Sequence, residues 1–157
     1  MKEVLLLLPK ITQMVTAMDA REFYQTVVRG NYDEFEQSPD EYRPLWNIVV
    51  SMNTMPEFLV LHRRGYAPDI PPEELEKEAK KIRKKLDGFI ELKVCANTFK
   101  HIRNIKKIKG SDAKFELTAS STGVLPDDQS TWFVGGYDVV AVVHKAFATL
   151  RAIPELN

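Results

Sequence analysis

Residues 89–109 read FIELKVCANTFKHIRNIKKIK, and this stretch decides which fold the sequence predicts. Its first part, Phe89–Val94, is rich in the residue types that suit a half-buried β-strand. Cys95, the only cysteine of the chain, follows directly. The sequence therefore predicts a strand that ends at a single thiol.

The residues after Cys95 predict a helix. Asn97 or Thr98 is a suitable N-cap, and the apolar residues then recur every third position, at Phe99, Ile102 and Ile105. A helix N-terminus has unpaired backbone N–H groups and the positive end of the helix dipole, so a thiol at this point is expected to ionise more readily. Positive or potentially positive charge is added nearby by Lys100, His101 and Arg103.

Two interpretations of Cys95 remain open at this stage. It is a reactive thiol in an anion-accepting site, or it is a small buried hydrophobe, as lone cysteines commonly are. In the first case, residues 95–98, which include Asn97 and Thr98, form the anion-accepting end of the site, and His62 and Arg63 are supplied by the end of the neighbouring strand. In the second case, Arg63 belongs to a solvated surface loop.

The clearest helix of the sequence lies upstream of this stretch, after Pro71 and Pro72. Its apolar positions fall at i, i+4, i+7 and i+11, namely Leu75, Ala79, Ile82 and Leu86. Acidic residues open it and basic residues close it, which matches the helix dipole at both ends. Gly88 stands where a C′ residue is expected.

Further upstream, the pattern predicts two strands separated by two helices. The strands are the apolar start of the chain, Met1–Lys10, and Phe58–His62. The helices are Ile11–Arg29, ended by Gly30, and Tyr42–Met55, closed by Pro56, with a turn or a new helix start at Ser38–Asp40.

Downstream, Gly110–Asp112 is predicted to be a turn, Lys114–Ser120 a strand and Pro126–Phe133 a short helix ended by Gly135 and Gly136. Two assignments fit the rest of the chain. Tyr137–Val143 is a last strand followed by a helical tail over His144–Leu156, or Val139–Leu150 is one continuous helix.

Strands that alternate with helices of 10–15 residues are typical of βαβ units. The predicted fold class is therefore α/β, a three-layer α/β/α sandwich with a mainly parallel sheet of about five strands. We expect one domain over residues 1–157, with an extended helical connection at about 11–55.

Composition restricts the function classes. The chain has 44% apolar and 28% charged residues, with 22 basic against 22 acidic, so a general polyanion binder is not expected. Residues 77–109 do hold twelve Lys or Arg against three acidic residues, but two solvated helix faces explain that run better than a nucleic-acid site. One cysteine suits a reducing cytoplasm, and no segment predicts a signal peptide or a membrane span. No motif implies a cofactor or a metal.

The order of motifs between Phe58 and Val143 resembles the DsrE/DsrF-like proteins, which include the TusD-type sulfur-relay subunits and the YchN-like family. The residues that carry the resemblance are Val94-Cys95 before a helix, Gly123-Val124 in a turn and Tyr137-Asp138-Val139-Val140 in a last strand. The resemblance implies that Cys95 carries a persulfide. It also implies a cytoplasmic homo- or hetero-oligomer, commonly trimeric or hexameric.

Two functions follow from these observations. In the first, Cys95 acts as a sulfurtransferase-type carrier that takes sulfane sulfur from a donor protein and passes it to an acceptor. In the second, the protein is a non-catalytic homo-oligomeric α/β module that binds a small anion or a protein partner, and Cys95 is only packed. A homo-oligomer is expected in both cases because Phe133, Val134, Ala146, Phe147 and Leu150 are expected to be only partly covered in one subunit.

Overall fold

The computed structural model of the chain describes residues 18–66, 69–101, 105–109 and 130–157. Its helices are α1 (Ala20–Phe23), a π-helical turn (Tyr24–Val28), α2 (Arg29–Gln37), α3 (Tyr42–Arg63), α4 (Pro72–Lys85), α5 (Phe89–His101), α6 (Val139–Arg151) and a 3₁₀ turn (Pro154–Leu156). Its strands are β1 (Ile105–Lys109), β2 (Ser130–Val134) and β3 (Tyr137–Asp138), in one antiparallel sheet of order β1-β2-β3. The predicted parallel α/β sandwich is therefore wrong, and the fold is mainly helical.

Helix α3 is the centre of the bundle, and each of the other α-helices of the described part contacts it. Its buried side chains recur at helical spacing along its whole length, at Leu45, Ile48, Val49, Met52, Met55, Leu59 and Val60. Pro56 lies inside this helix, buried among them. A proline in a helix interior removes one backbone hydrogen bond. The burial of the apolar face of α3 on both sides of Pro56 offsets that loss.

The predicted strand Phe58–His62 is wrong, because these residues form the last part of α3. Pro56 was interpreted as the end of the preceding helix, which left a short apolar run that periodicity alone cannot assign. The helix ends only at Arg63, where Gly65 and Tyr66 both adopt positive φ, at 65° and 57°.

The predicted strand Phe89–Val94 is also wrong, because these residues form the first half of α5. The buried residues of α5 fall at i, i+3, i+6, i+7 and i+10, namely Phe89, Leu92, Cys95, Ala96 and Phe99. That spacing describes one helix face against the core. The β-favouring composition of the segment was thus overridden by tertiary packing.

The helix predicted after Pro71 and Pro72 is confirmed as α4, and a short connection joins it to α5. Gly88 in that connection has φ of 82°, and a Cβ there would lie 3.1 Å from the backbone nitrogen of Ala146. Glycine is therefore required twice, by conformation and by the close approach of α6.

The three-stranded sheet packs against α5 and α6 through β2. Residues Ile105 and Lys109 of β1 pair with Val134 and Ser130 of β2. Gly135 and Gly136, with φ of 60° and 86°, then form a two-residue turn into β3. The predicted short helix reaching Phe133 is wrong, since Ser130–Val134 is a strand.

Helix α6 resolves the two alternatives for the end of the chain. Residues Val139–Arg151 are one continuous helix, so the predicted strand Tyr137–Val143 is wrong apart from its first two residues. Asp138 caps the helix, because its side chain accepts hydrogen bonds from the N–H groups of Val140 and Ala141.

The first helical segment packs against α6 through aromatic rings. Tyr32 of α2 stacks on Phe147, with ring centroids 3.5 Å apart and planes inclined by 5°. The Tyr32 hydroxyl lies 2.8 Å from Nδ1 of His144. Gly30, predicted to end the first helix, lies within α2 instead.

The predictions for Met1–Lys10, the start of Ile11–Arg29, Gly110–Asp112, Lys114–Ser120 and the Gly123-Val124 turn lie outside the described residues. None of the helices in the described ranges combines the length and apolarity that a membrane crossing requires.

Candidate anion-binding site

Cys95 does not lie at a helix N-terminus. It is in the middle of α5, fully buried, and its sulfur lies 3.6 Å from the carbonyl oxygen of Val134. Burial, reinforced by the negative charge of Glu91, raises the pKa of this thiol to about 12. The geometry expected for a readily ionised thiol is therefore not present.

Asn97 and Thr98 are interior residues of α5 and cap no helix. The Thr98 hydroxyl donates a hydrogen bond to the carbonyl of Val94, one turn earlier, at 2.8 Å. Asn97 is exposed and faces a different feature, a cleft between α4 and α5.

His62 and Arg63 contact Glu155, and neither contacts Cys95. Arg63 pairs with Glu155 at 3.2 Å, and His62 lies 3.8 Å from the same carboxylate. The ring of Trp46 in α3 contacts Phe99, one turn from Cys95. His62 is sixteen residues further along α3, which corresponds to about 24 Å of helix rise. The structure therefore does not bring His62 and Arg63 to the thiol.

The cleft between α4 and α5 has a volume of about 310 Å³. Helix α4 contributes residues at i, i+3 and i+4, and helix α5 contributes residues at i, i+3, i+4 and i+7, so each helix presents one face. The lining residues are Lys80, Arg83 and Lys84 from α4, with Ile90, Lys93, Val94 and Asn97 from α5. Four of these seven side chains are cationic and none is acidic.

Arg83 is the unusual residue of this cleft. It is only 3% exposed, although arginine is rarely buried without partners. Its Nε and Nη1 atoms are buried, and no described residue accepts a hydrogen bond from them. A buried donor without an acceptor costs about 1–3 kcal/mol, and more when the group is charged. The cleft therefore contains hydrogen-bonding capacity that the described residues leave unused.

Two carboxylates compensate the charge of Arg83 without hydrogen-bonding to it. Oxygens of Glu57 and Glu76 lie 3.6 and 3.7 Å from its terminal nitrogens. Glu76 is engaged more closely by Lys93, whose ammonium group lies 2.7 Å away and lowers the pKa of that carboxyl. Burial raises the pKa of Glu57. Arg83 is thus neutralised at a distance, and its Nε and Nη1 donors form no hydrogen bond with a described residue.

The apolar part of the cleft comes from two residues of α5. Ile90 is 54% exposed and Val94 is 37% exposed, and both are among the most exposed large hydrophobic residues of the described part of the chain. They are four residues apart and lie on one helix face. An apolar strip therefore adjoins the cationic side chains.

The periodicity of helix α4 contains a sequence signal for this site. Arg83 follows Ala79 by four residues, so the periodicity of α4 places it at the edge of the buried face. Its position in the last turn of α4 also suits the helix dipole, which by itself predicts only a solvated basic side chain. Ile90 and Val94 were assigned to a strand, so their position beside Lys80 and Lys93 could not be seen.

Among residues 18–66, 69–101, 105–109 and 130–157, no group of three or more His, Cys, Asp or Glu is placed to hold a metal ion. Comparison of the chain with protein-family models, curated proteins and solved structures finds no match. The resemblance to DsrE/DsrF-like proteins stays a prediction from sequence, and the α/β fold predicted from the order of strands and helices is wrong.

Proposed function

We propose that this protein is a binding module that takes a small amphiphilic anion, an apolar group bearing a carboxylate or phosphate, in the cleft between α4 and α5. The observation that carries this proposal is Arg83, which is buried in the cleft wall with guanidinium donors that no described residue accepts. An anion in the cleft supplies the missing acceptors in the planar geometry that guanidinium groups favour.

The electrostatics of the cleft support an anionic head group. Lys80, Lys84 and Lys93 surround the same space, and no acidic residue lines it. A cleft lined by one sign of charge with low-dielectric walls concentrates ions of the opposite sign. We therefore expect affinity to fall as ionic strength rises.

The exposed apolar strip of α5 supports an apolar tail on the ligand. Burial of Ile90 and Val94 by a hydrocarbon group removes apolar surface from water at about 25 cal/mol per Å². A bare inorganic anion gains nothing from that surface. Hexanoate is therefore a suitable first probe, with hexanamide as its uncharged equivalent.

A titration of ¹⁵N-labelled protein, followed by amide chemical shifts, tests the proposal. We expect saturable shifts at α4 and α5 with hexanoate and much weaker binding of hexanamide. Arg83→Met is expected to reduce hexanoate affinity by at least tenfold, which corresponds to the loss of one charged hydrogen-bonded pair. Lys81→Met is the matched control, because it removes one positive charge from an exposed position of the same helix that does not line the cleft.

Equal binding of hexanoate and hexanamide, or unchanged affinity in Arg83→Met, contradicts the proposal. Glu76→Gln provides an opposite test. This change removes the carboxylate that competes for Lys93 and Arg83, so hexanoate affinity is expected to rise several-fold.

The sulfur-relay function loses its structural argument, because the strand-to-helix junction on which it depended is replaced by the interior of α5. It stays a prediction that native thiol chemistry can test. The cytoplasmic location proposed from the single cysteine stays a prediction in the same way.

Homo-oligomerisation also stays a proposal, but its original reason is wrong. The residues expected to be exposed are buried within the single chain, between 0% and 6% exposed, at Phe133, Val134, Ala146, Phe147 and Leu150. Sedimentation at micromolar concentration decides the question, and an 18.0 kDa species contradicts an oligomer.

A further inference from the structure

Among the described residues, three large hydrophobic side chains are 37–54% exposed. Ile90 and Val94 line the cleft between α4 and α5, and Tyr42 is the first residue of α3. Exposed charged residues adjoin both places, with positive charge at the cleft and negative charge next to Tyr42. An apolar centre with a charged rim is the usual anatomy of a protein–protein interface.

The cationic surface is the cleft between α4 and α5, which is lined by four cationic side chains and no acidic one. Lys80 and Lys84 are exposed, and neither forms an ion pair with a described residue. Arg83 is buried in the wall of the cleft, and its Nε and Nη1 atoms have no acceptor among the described residues. This surface therefore has positive charge that the described part of its own chain does not pair.

The acidic surface lies where α2 ends and α3 begins, and we call residues 33–42 the acidic corner. It contains five acidic residues and no basic one, together with Tyr42. All five acidic side chains are exposed. Glu34 and Glu41 form no ion pair with a described residue. The acidic corner therefore has the charge that the cleft lacks.

The dipole of α2 adds to the negative charge of the acidic corner. Glu34 and Glu36 lie in the last turn of this helix, and no basic residue accompanies them. The C-terminal end of a helix has a partial negative charge, so carboxylates at this position are unfavourable. Among the described residues, no group of His, Cys, Asp or Glu is placed to hold a metal ion that would offset this charge. A cationic protein surface relieves the repulsion.

The acidic corner is held in place by the sheet. The indole N–H of Trp132 in β2 donates a hydrogen bond to the carbonyl of Asp40 at 2.8 Å, and the ring of Trp132 contacts Tyr42, with centroids 5.3 Å apart. The ammonium group of Lys107 in β1 lies 3.6 Å from the Asp40 carboxylate. A surface that is fixed before binding loses less conformational entropy when a partner binds.

We propose that this protein self-associates by placing the acidic corner of one copy against the cleft between α4 and α5 of a second copy. Carboxylates of the acidic corner pair with Lys80 and Lys84, and Tyr42 covers Ile90 and Val94. The chain has a formal net charge of zero, so two copies do not repel each other through net charge. Complementary surfaces of opposite charge then steer their encounter.

Sedimentation velocity of the full chain at low and high micromolar concentration tests the proposal. At about 0.1 M salt, we expect a mass that rises with concentration above the 18.0 kDa of one chain. At about 1 M salt, where the Debye length falls from about 10 to about 3 Å, we expect dissociation to single chains. A single-chain mass at every concentration, or equally strong association at both salt concentrations, overturns the proposal.

Lys84→Glu and Glu34→Lys each reverse one charge, on the cleft and on the acidic corner respectively. We expect each variant to raise the dissociation constant at least tenfold. Lys81→Glu and Glu22→Lys are the matched controls, because they make the same changes of charge at exposed positions outside both surfaces. Equal effects of the variants and their controls overturn the proposal, because the net charge then explains both.

A mixture of the two test variants locates the contact. The Lys84→Glu chain retains an intact acidic corner, and the Glu34→Lys chain retains an intact cleft. Because the contact joins two different surfaces, the mixture is expected to form a 1:1 complex at concentrations where neither variant associates alone. Absence of that complex overturns the proposal.

This inference does not depend on the binding of a small anion, although both use the cleft between α4 and α5. Saturating hexanoate is expected to dissociate the two copies, and association that persists in its presence overturns the placement in the cleft. Hexanoate binding without self-association contradicts only the inference about a second copy. Self-association without hexanoate binding contradicts only the proposed function.

Discussion

The sulfur of Cys95 lies 3.6 Å from the carbonyl oxygen of Val134, so the middle of α5 touches the last residue of β2. Both residues are fully buried. The one cysteine of the chain therefore joins a helix to the sheet as a core residue, where its packing contributes to stability.

The first prediction concerns the access of reagents to this thiol. Because Cys95 is fully buried and burial raises its pKa to about 12, we expect a thiol-specific reagent at neutral pH to leave the native protein unmodified. The protein is expected to react fully once denatured. Rapid stoichiometric modification in the native state contradicts this result and restores the carrier hypothesis.

The second prediction is a dependence of stability on pH above 9. The folded state holds the Cys95 proton up to a pKa of about 12, whereas the unfolded thiol loses it near its ordinary pKa of 9.0. The folded state thus binds more protons in this window, and stability falls as pH rises, by up to about 1.4 kcal/mol per pH unit. Urea unfolding of the wild type and Cys95→Ala between pH 8 and 11 measures it, and parallel curves for the two proteins contradict it.

The third prediction compares two adjacent glycines. A Cβ at Gly135 would lie 2.8 Å from Cγ1 of Val94 and 2.9 Å from the hydroxyl oxygen of Thr98, whereas a Cβ at Gly136 meets nothing within 4 Å. Both residues have positive φ, so both alanine substitutions carry backbone strain of about 1 kcal/mol. We expect Gly135→Ala to lose about 1–3 kcal/mol more than Gly136→Ala, because only the first displaces α5. Equal melting temperatures for the two variants show that the hairpin turn is not held against α5.

The fourth prediction concerns the start of α6. The carboxylate of Asp138 accepts hydrogen bonds from Val140 and Ala141 and from the Thr131 hydroxyl, the last at 2.8 Å. Asp138→Ala is expected to cost about 1–2 kcal/mol of unfolding free energy. Asp138→Asn retains an oxygen acceptor and is expected to cost less than half of that. Equal losses in the two variants exclude capping as the cause.

The fifth prediction tests the charge balance around Arg83. Arg83→Met leaves the carboxylate of Glu57, whose pKa burial already raises, without its nearest cation. We expect a loss of about 2 kcal/mol at neutral pH. The double variant Glu57→Gln with Arg83→Met is expected to lie within about 1 kcal/mol of the wild type, because removing both charges removes the desolvation penalty as well. Additive losses contradict this coupling.

The helix α4 and the last helix could be predicted because their signals are local. The spacing of Leu75, Ala79 and Ile82, between acidic and basic ends, is sufficient to define α4. The continuous helix from Val139 was present as one of two alternatives, and the cap at Asp138 is the residue that distinguishes them.

The first half of α5 and the last part of α3 could not be predicted as helices, because tertiary packing determines their conformation. Phe89–Val94 has the composition of a strand, and only the position of Leu92, Cys95 and Phe99 on one buried face shows that it is helical. Pro56 has a similar effect, since a proline is a sound local reason to end a helix. The packing of α3 against its neighbours outweighs it.

The candidate sites depended on those assignments. Once α5 was interpreted as a strand followed by a helix, Asn97 appeared as a cap, although it lines the cleft with Arg83. The predicted anion site therefore included Asn97, which does line the cleft between α4 and α5. The reason for including it was an N-cap position, and Asn97 is an interior residue of α5.

The contact between α2 and α6 has a consequence for synthesis on the ribosome. Tyr32 and His144 are separated by 112 residues, and Gln25 bonds to Leu156 across 131. At a translation rate of about 5–20 residues per second, the aromatic face of α2 waits roughly 6–22 s for its partner helix to be made. During that interval Tyr32 and Phe35 are exposed on a nascent chain whose core cannot close. Chaperones that bind apolar segments are therefore expected to meet this protein at its first helices, before α6 leaves the exit tunnel.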